Sequence, residues 1–339
     1  MINSWEVVKQ TYFIFLFHYN SIIIDIINLP INPLKDIAVI LINYNTSEYT
    51  IQCVKSIISH TKKNLKYAII IIDNNSLEAD YLRLNELIKI DQVSIFKRPV
   101  NEGYATANMA GVKMVDAEYY FFLNNDTILK NDVLSILYRF MEKNYRVGIS
   151  SGQMYGADGS LGINFNYFPD LKLKFLGSGF LRIFSSEKYP KKGIRYGHPV
   201  QVPLLNGSSL FVRGKTFKDI GGFDSSFFLY CEEEDLALRM KNKGYSCFLV
   251  PEAEYIHFEG KSSLKDNGIN YIMLREFYIS QYYLYQKHYG KIASIIWRIT
   301  QFIRSFRKFY IHPDYVKLAF FILRKPRMKY SLRHLQSLL

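Results

Sequence analysis

From residue 36 onward, short apolar runs alternate with longer stretches in which apolar and polar positions are mixed. The apolar runs predict β-strands at residues 37–42, 67–72, 93–96 and 119–123, and the mixed stretches predict helices at residues 48–59, 78–90, 104–115 and 132–143. Strands that are apolar throughout and alternate with helices are typical of βαβ units. The pattern therefore predicts an α/β fold with a Rossmann-like, mostly parallel sheet covered by helices on both faces.

The second half of the chain is less regular. Residues 155–200 are rich in Gly, Tyr and Lys, and they predict a long excursion able to close over a substrate. The regular pattern then returns, with a strand at residues 202–213 broken at Asn206-Gly207, a helix at residues 232–243 and a strand at residues 246–250 that ends at Pro251.

The N-terminal residues 1–35 form a separate apolar segment. Its apolar stretch is interrupted by His18, Asn20 and Asp25, whereas a membrane-spanning helix needs about 20 largely uninterrupted apolar residues. It also lacks the small-residue cleavage site of a signal peptide. We expect a helix that lies at a membrane interface or packs on the core, then a main domain at residues 36–265 and a helical extension at residues 266–339.

Composition places the chain among globular proteins, with 49% apolar and 22% charged residues. The three cysteines, Cys53, Cys231 and Cys247, are far apart and odd in number, which fits a reducing compartment better than a disulfide framework. We therefore expect a cytoplasmic protein.

The formal net charge of +13 is concentrated in the C-terminal extension. Residues 287–339 hold twelve Lys or Arg residues and a single acid, Asp314. Bulky apolar side chains such as Trp297, Phe302 and Phe306 are interleaved with the cations, which favours an anionic membrane surface over nucleic acid. An ordinary solvated helix packed on the main domain is the alternative. We expect peripheral association with the inner face of the cytoplasmic membrane and no nucleic-acid partner.

Polar side chains follow each of the four predicted strands at its carboxyl end, where ligands bind in parallel α/β sheets. These clusters are Asn43-Tyr44-Asn45, Asp73-Asn74-Asn75-Ser76, Asn101-Glu102-Gly103 and Asn124-Asn125-Asp126. Each has a simpler explanation, because Asp and Asn also stabilise turns and cap helices. Asp73 and Asn75 could cap one following helix, and Asp126 another. Four clusters at one edge nevertheless predict a ligand site.

A second group of candidates is Glu232-Glu233-Glu234-Asp235, which opens a predicted helix after an aromatic run. The helix macrodipole favours acids in a first turn, and this accounts for Glu234. The aromatic neighbours indicate a cleft wall, where burial raises the pKa of a carboxylate toward that of a useful base. His257 lies beyond a strand end, as a metal ligand or a structural histidine. Arg239 lies one helical turn after Asp235, with which it could pair.

Taken in order, these motifs resemble those of the inverting family 2 glycosyltransferases, which have the GT-A fold, and within them the rhamnosyltransferase-like branch of bacterial surface-polysaccharide assembly. The resemblance covers about residues 36–263 and includes Gly221-Gly222-Phe223-Asp224. It implies a transferase that uses Mg²⁺ or Mn²⁺ to move a sugar from a nucleotide-diphosphate sugar, dTDP-rhamnose or a UDP-sugar, to a saccharide or lipid-linked acceptor.

The resemblance also implies a role for each candidate residue. Asp73 would bind the base or ribose of the donor, and Asp126 matches the last Asp of the family's metal-binding DxD motif. Glu233 matches the catalytic base, the second residue of an acidic pair, with Glu232 as the second candidate. The implied donor-binding residues are Tyr44, Asn45, Asp73, Asn75, Asn101, Gly103, Asn125 and Arg239, and the implied metal ligands are Asp126 and His257.

Two motifs depart from the family pattern. The DxD position reads Asn124-Asn125-Asp126, which leaves one carboxylate, and the acidic pair reads Glu232-Glu233 instead of Glu-Asp. A catalytically silent relative that acts as a binding subunit is therefore one alternative. A sugar-phosphate nucleotidyltransferase is a weaker one, because such enzymes usually carry a Gly-rich loop where this chain has Asn43-Tyr44-Asn45-Thr46.

Overall fold

The computed structural model describes residues 35–168, 171–258 and 270–336. The apolar segment predicted at residues 1–35 lies outside them except for Lys35. The strands are β1 (Lys35–Asn43), β2 (Tyr67–Asp73), β3 (Val93–Lys97), β4 (Ala117–Leu123), β5 (Thr127–Leu129), β6 (Val147–Tyr155), β7 (Phe165–Asn166), β8 (Val200–Val202), β9 (Leu204–Leu205), β10 (Ser209–Arg213) and β11 (Ser246–His257).

The helices of the same residues alternate with the strands in the first half of the chain and follow one another in the last third. They are α1 (Ser47–His60), α2 (Glu78–Arg83), α3 (Tyr104–Lys113), α4 (Val133–Lys143), α5 (Leu171–Phe184), α6 (Gly214–Asp219), α7 (Glu232–Asn242), α8 (Tyr271–His288), α9 (Gly290–Phe306), α10 (Asp314–Leu323) and α11 (Leu332–Gln336).

Nine of these strands form one mixed sheet in the order β3-β2-β1-β4-β10-β6-β11-β5, with β8 against β11. The four strands predicted first form its parallel half, since β1 pairs in parallel with β2 and β4, and β2 with β3. Along β1, Val39 and Leu41 pack into one apolar layer and Ala38 and Ile40 into the other, so the strand is buried on both faces. The carboxyl ends of β1 to β4 therefore meet at one edge.

The second half of the sheet brings further loops to the same edge. β10 pairs antiparallel with β4, and Ser209 at its beginning lies opposite Leu123 at the end of β4. The predicted break at Asn206-Gly207 is confirmed, because β9 ends at Leu205 and β10 begins at Ser209. This turn therefore lies beside the carboxyl end of β4.

The prediction that a strand ends at Pro251 is wrong. β11 continues through Pro251 to His257, with irregular pairing to β6 between Val250 and Glu254. A proline is tolerated in a strand at such an irregularity, because no ladder hydrogen bond is needed from its nitrogen. The longer strand pairs His257 with Thr127 of β5, which follows directly on Asp126.

Two other predicted elements differ in extent. The helix predicted at residues 78–90 ends at Arg83 and continues as a 3₁₀ turn at Leu84–Leu87. Residues 155–200, predicted to be irregular, contain β7 and α5 and reach the first residue of β8. Gly177 interrupts α5 with a φ of 73°, a conformation that favours glycine.

The C-terminal residues form a helical extension, as predicted. Trp297 of α9 packs against the rings of Tyr278, Tyr282 and Tyr285 on α8, at centroid distances of 5.5 to 6.1 Å. Across the described residues, no helix combines the length and the apolar character needed to cross a bilayer.

Candidate active site

Hydrogen bonds connect the polar clusters at the ends of β1, β2 and β4. Asn43, at the end of β1, donates from Nδ2 to Oδ1 of Asp73 at 2.8 Å and accepts at Oδ1 from the hydroxyl of Thr50 at 2.8 Å. The Thr50 hydroxyl in turn accepts from Nδ2 of Asn125 at 2.7 Å. Because β1, β2 and β4 are neighbours in the sheet, three sequence motifs about 30 to 50 residues apart form one network.

Asn45 and Asn75 shape the turns that follow β1 and β2. Both adopt left-handed backbone conformations, with φ of 56° and 67°, which Asn tolerates better than most residues. Asn45 Oδ1 accepts from the backbone N–H of Leu77 at 2.8 Å, and its own N–H donates to Ser76 Oγ at 2.9 Å. The two turns are thereby joined, and the ring of Tyr44 is left 44% exposed beside them.

Asp73 is fully buried. Its Oδ1 accepts from Asn43 and its Oδ2 accepts from the backbone N–H of Ser76 at 3.1 Å. The structure therefore gives Asp73 a turn-stabilising role, although not the helix cap considered above, since α2 has Leu77 at its N-cap. Contact between Asp73 and a donor stays a prediction.

The loop after β3, residues 101–104, is called the Asn101 loop. Asn101 Oδ1 accepts from the N–H of Gly103 at 2.9 Å and from Nδ2 of Asn74 at 2.8 Å. Gly103 has a φ of 83°, and a Cβ there would overlap the carbonyl oxygen of Phe228. The N–H of Tyr104 donates to the same carbonyl at 2.8 Å. Only glycine allows this close approach.

Asp126 and His257 lie side by side at the edge of the sheet. Asp126 Oδ1 is 3.2 Å from His257 Nε2, and both residues are largely buried. Nδ2 of Asn124 lies 3.4 Å from the same histidine nitrogen. Asp126 does not cap a helix. The cap of α4 is Asp132, which accepts from the N–H of Ser135.

The four acids occupy the first turn of α7, directly after residues 224–231, which are called the acid loop. Glu232 is buried, and burial together with the charge of Glu233 raises its pKa well above the ordinary value. Burial also raises the pKa of Glu233. Tyr230 and Cys231 both have left-handed backbones, with φ of 72° and 68°, a strained arrangement for two consecutive non-glycine residues. The backbone of the acid loop is therefore strained at the two residues that directly precede α7.

The hydroxyl of Tyr104 lies among the predicted catalytic and metal-binding carboxylates. It donates to the carbonyl of Gly207 at 3.2 Å, and a Cβ on Gly207 would touch the side chain of Glu233 at 3.6 Å. Burial raises the pKa of Tyr104 far above its usual range, and the negative charges of Glu232, Glu233 and, more weakly, Asp126 add to this effect. The contact through Gly207 therefore places the hydroxyl of Tyr104 close to Glu233.

Arg239 pairs with Asp235 at helical spacing, as the simpler of the two alternatives predicts. Its Nε donates to Asp235 Oδ2 at 2.8 Å and its Nη1 to the carbonyl of Ile220 at 2.9 Å. Asp235 is fully buried and also meets Lys287 at 2.6 Å and His288 at 2.7 Å. A role for Arg239 at a donor diphosphate stays a prediction.

Burial alone would raise the pKa of Asp235, but the hydrogen bond from His288 and the charges of Arg239 and Lys287 hold it below its usual value. Asp235 therefore stays ionised in the fold. No sequence pattern indicated the contacts of Lys287 and His288, which lie about 50 residues after Asp235.

The donor atoms at Asp126 and His257 fit a hard divalent cation that takes its remaining ligands elsewhere. A carboxylate oxygen and an imidazole nitrogen 3.2 Å apart can both bind one ion. Within the ranges that the structure describes, no group of three or more His, Cys, Asp or Glu side chains could hold a metal. Such a site suits Mg²⁺ or Mn²⁺, which often take only one or two protein ligands and complete their shell with water and phosphate oxygens.

The fold and this edge of the sheet define an α/β protein with its candidate ligand site beyond the carboxyl ends of parallel strands, and comparison with known proteins identifies its family. The glycosyl transferase family 2 sequence model matches residues 38–199. The rhamnosyltransferase WbbL of Escherichia coli K12 is 30% identical over 201 residues, which cover 57% of this chain and 73% of WbbL. The chain therefore belongs to the family 2 glycosyltransferases, and it is an enzyme of glycosyl transfer with similarity to rhamnosyltransferases.

Other relatives are similar over a shorter stretch of sequence or in fold alone. The N-acetylglucosaminyl-diphospho-decaprenol L-rhamnosyltransferase of Mycobacterium tuberculosis is 40% identical over 65 residues, which are 19% of this chain and 21% of that protein. Among solved structures, GalNAc-T7 with UDP, GalNAc and Mn²⁺ aligns with a TM-score of 0.52 at 16% identity, over 68% of this chain and 45% of that one. The mannosyltransferase PcManGT of Pyrobaculum calidifontis, in complex with GDP-Man and Mn²⁺, aligns with a TM-score of 0.52 at 13% identity, over 77% and 66%. The fold is accordingly GT-A.

Proposed function

We propose that this glycosyltransferase moves a sugar, with inversion, from a nucleoside-diphosphate sugar to a saccharide or lipid-linked acceptor in cell-surface polysaccharide synthesis. The observation that carries the proposal is the position of Glu233 against Gly207, whose carbonyl accepts from the hydroxyl of Tyr104, with Glu232 next to it in the chain and the Asp126–His257 pair at the same edge of the sheet. Inverting transfer needs a base near the acceptor and charge stabilisation near the departing diphosphate, and this region offers candidates for both.

The donor site would lie between the turns after β1 and β2 and the Asn101 loop. The exposed ring of Tyr44 offers a stacking surface for a nucleobase. Gly103 would shape the donor site by letting the Asn101 loop pack closely on the carbonyl of Phe228. Similarity to WbbL and to the decaprenol-linked enzyme supports dTDP-rhamnose as the donor and a lipid-linked acceptor, with a UDP-sugar as the second donor candidate.

Glu233 would act as the base in a single displacement. The acceptor oxygen forms a bond to the anomeric carbon while the bond from that carbon to the diphosphate oxygen breaks on the opposite face. The acceptor proton passes to Glu233, and the nucleoside diphosphate leaves with the bonding electrons. Burial raises the pKa of Glu233, which strengthens it as a base. Attack from the face opposite the leaving group inverts the anomeric configuration.

Asp126 and His257 would hold the divalent cation, Mg²⁺ or Mn²⁺. When bound, this cation would offset the negative charge of the departing diphosphate. Asn125 and Thr50, which are hydrogen-bonded to each other, would keep the segment after β4 in place. The fit of the donor atoms and the Mn²⁺ in two GT-A structures of the same fold support this assignment.

The C-terminal helices would hold the enzyme at the inner face of the cytoplasmic membrane. One face of α9 carries exposed large apolar side chains with helical spacing, here called the apolar stripe: Ile292, Ile295, Ile296, Ile299, Ile303 and Phe306. Such a stripe facing outward is unusual for a solvated helix. The surrounding excess of Lys and Arg matches an anionic bilayer surface, where a lipid-linked acceptor is located.

The experiment that tests the proposal is donor turnover by the purified full chain. It would be supplied with dTDP-rhamnose and common UDP-sugars, with Mg²⁺ or Mn²⁺, with chelator, and with membrane lipid acceptors. We expect release of one nucleoside diphosphate, loss of release with chelator and recovery on addition of metal. Release that survives chelation would contradict the metal assignment. An absence of release from every donor would favour the catalytically silent alternative.

A further inference from the structure

Arg333, in the short helix α11 near the end of the described residues, reaches two loops of the active site. Its Nη2 lies 3.2 Å from the carbonyl oxygen of Glu102 and 3.1 Å from Oγ1 of Thr106. The same nitrogen lies 3.4 Å from the carbonyl oxygen of Phe227. Glu102 belongs to the Asn101 loop and Phe227 to the acid loop, so one guanidinium group contacts both.

These two loops also touch each other where Arg333 binds. The N–H of Tyr104 donates to the carbonyl of Phe228 at 2.8 Å, and Gly103 leaves no room for a side chain there. On one side of this junction is Gly103, which is predicted to bind the donor. On the other side is the segment that leads into Glu233. A shift at the junction would therefore change the spacing between the donor and the base.

A buried carboxylate fixes the position of Arg333. Glu276 of α8 is 1% exposed, and its two oxygens accept from Ser331 Oγ at 2.7 Å and from the N–H of Leu332 at 2.9 Å. Both donors immediately precede Arg333 in the chain. The side chain thus projects from an anchored segment, and the two N–H groups of Nη2 are shared among the three oxygens that surround this nitrogen.

We propose that Arg333 is a positioning residue that holds the Asn101 loop and the acid loop together, and that the C-terminal segment therefore completes the active site. The catalytic part of this inference rests on the proposed function. Arg333 itself contacts backbone and hydroxyl oxygens, and it acts on transfer through the loops that carry Gly103 and Glu233.

The first test measures the loops directly and needs no substrate. Hydrogen–deuterium exchange of the full chain would be compared for the wild type, Arg333→Ala, Arg333→Lys and the control Arg327→Ala. Arg327 is an exposed cation of the same segment, so its loss changes the net charge equally. We expect at least threefold faster exchange at residues 101–106 and 224–231 in Arg333→Ala and wild-type rates in Arg327→Ala. Unchanged exchange in Arg333→Ala would overturn the proposal.

The second test measures transfer and nucleoside diphosphate binding on protein shown by circular dichroism to be folded. We expect kcat to fall about tenfold in Arg333→Ala while the Kd for the nucleoside diphosphate changes less than threefold, and Arg333→Lys to recover most of kcat. Equal losses in Arg327→Ala, or equal losses of kcat and affinity, would overturn the positioning role. If the wild type transfers no sugar, the proposed function fails while the exchange experiment still decides whether Arg333 joins the loops.

Discussion

Glu232 and Glu233 are adjacent carboxylates with different surroundings. Glu232 is buried, and one of its oxygens has no hydrogen-bond partner among the described residues. Glu233 is less buried and lies against Gly207, beside the hydroxyl of Tyr104. A base must reach the acceptor, so the geometry favours Glu233 over Glu232.

Replacing Glu233 with glutamine removes the proposed base and keeps the shape of the side chain. We expect Glu233→Gln to lower kcat at least about 100-fold, the usual contribution of a general base. Glu232→Gln is the matched control and should lower kcat less than about tenfold. The measurement is transfer at saturating donor and acceptor. A Glu233→Gln enzyme with wild-type activity would show that another group takes the proton.

Glu234 gives a prediction for stability against pH. Burial first, then the charges of Glu233 and Asp235, raises its pKa from 4.5 to about 8. A group whose pKa is raised by folding stabilises the fold fully below its unfolded pKa. That contribution is lost as pH rises from 4.5 to about 8, because over this range the folded state keeps a proton that the unfolded state has already released, so that rising pH favours unfolding.

We therefore expect the unfolding free energy of Glu234→Gln to depend less on pH than that of the wild type between pH 6 and pH 8.5. Over this range the wild type should lose about 2 kcal/mol more unfolding free energy than the variant. Urea denaturation at both pH values measures the difference. The exposed Glu48→Gln is the control and should keep the wild-type dependence. A parallel decline in Glu234→Gln and wild type would mean that Glu234 is already ionised at pH 6.

At the scale of elements, α9 differs from an ordinary surface helix because most of its large apolar side chains face outward. Trp297 packs inward with Ser294 and Ser305, whereas the apolar stripe faces outward. Solvated helices usually bury the wider apolar face. The arrangement is explained if the stripe meets lipid.

A single charge in the stripe should weaken membrane binding. We expect Ile299→Glu to lower partitioning onto vesicles of phosphatidylcholine and phosphatidylglycerol at least about tenfold, because burial of an isoleucine contributes about 1.5 to 3 kcal/mol and the new charge is repelled. Ile272→Glu, at a similarly exposed isoleucine of α8, is the control. Equal vesicle binding by the two variants would refute the proposal that the apolar stripe contacts the membrane. A change of oligomeric state in Ile299→Glu alone would indicate that a second copy covers it.

At the scale of the whole molecule, the C-terminal helices hold the acid-bearing helix α7. Lys287 of α8 bridges Asp224 at 2.7 Å and Asp235 at 2.6 Å, at the two ends of the segment that contains the acid loop. Ser280 of the same helix donates to the carbonyl of Leu229 at 2.7 Å. Deletion of residues 287–339 would therefore disturb the candidate active site as well as the proposed membrane binding.

Loss of Lys287 should destabilise the fold, because it leaves the buried Asp235 with fewer partners. We expect Lys287→Met to lower the unfolding free energy by about 1 to 3 kcal/mol. Lys291→Met removes the same charge at an exposed position and should change it by less than about 0.5 kcal/mol. Urea denaturation of both variants gives the comparison. If the two variants unfold alike, the C-terminal helices contribute little to the position of α7.

The alternation of apolar runs determined the parallel half of the sheet and the edge at which its ligand motifs meet. This was possible because strand and helix periodicity is local, and because parallel strands with helical connections must align their carboxyl ends. The motifs also sufficed to identify the family. Prediction was wrong at Pro251, where irregular pairing with β6 lets the strand continue to His257.

Only the tertiary structure decided which distant groups meet. The contacts of Lys287 and His288 with Asp235 and the reach of Arg333 to the two loops join residues about 50 to 230 positions apart. No local pattern encodes such contacts, because they depend on how whole helices and strands pack. The sequence located the basic, aromatic extension, and the packing of Trp297 decided which face of α9 is left exposed.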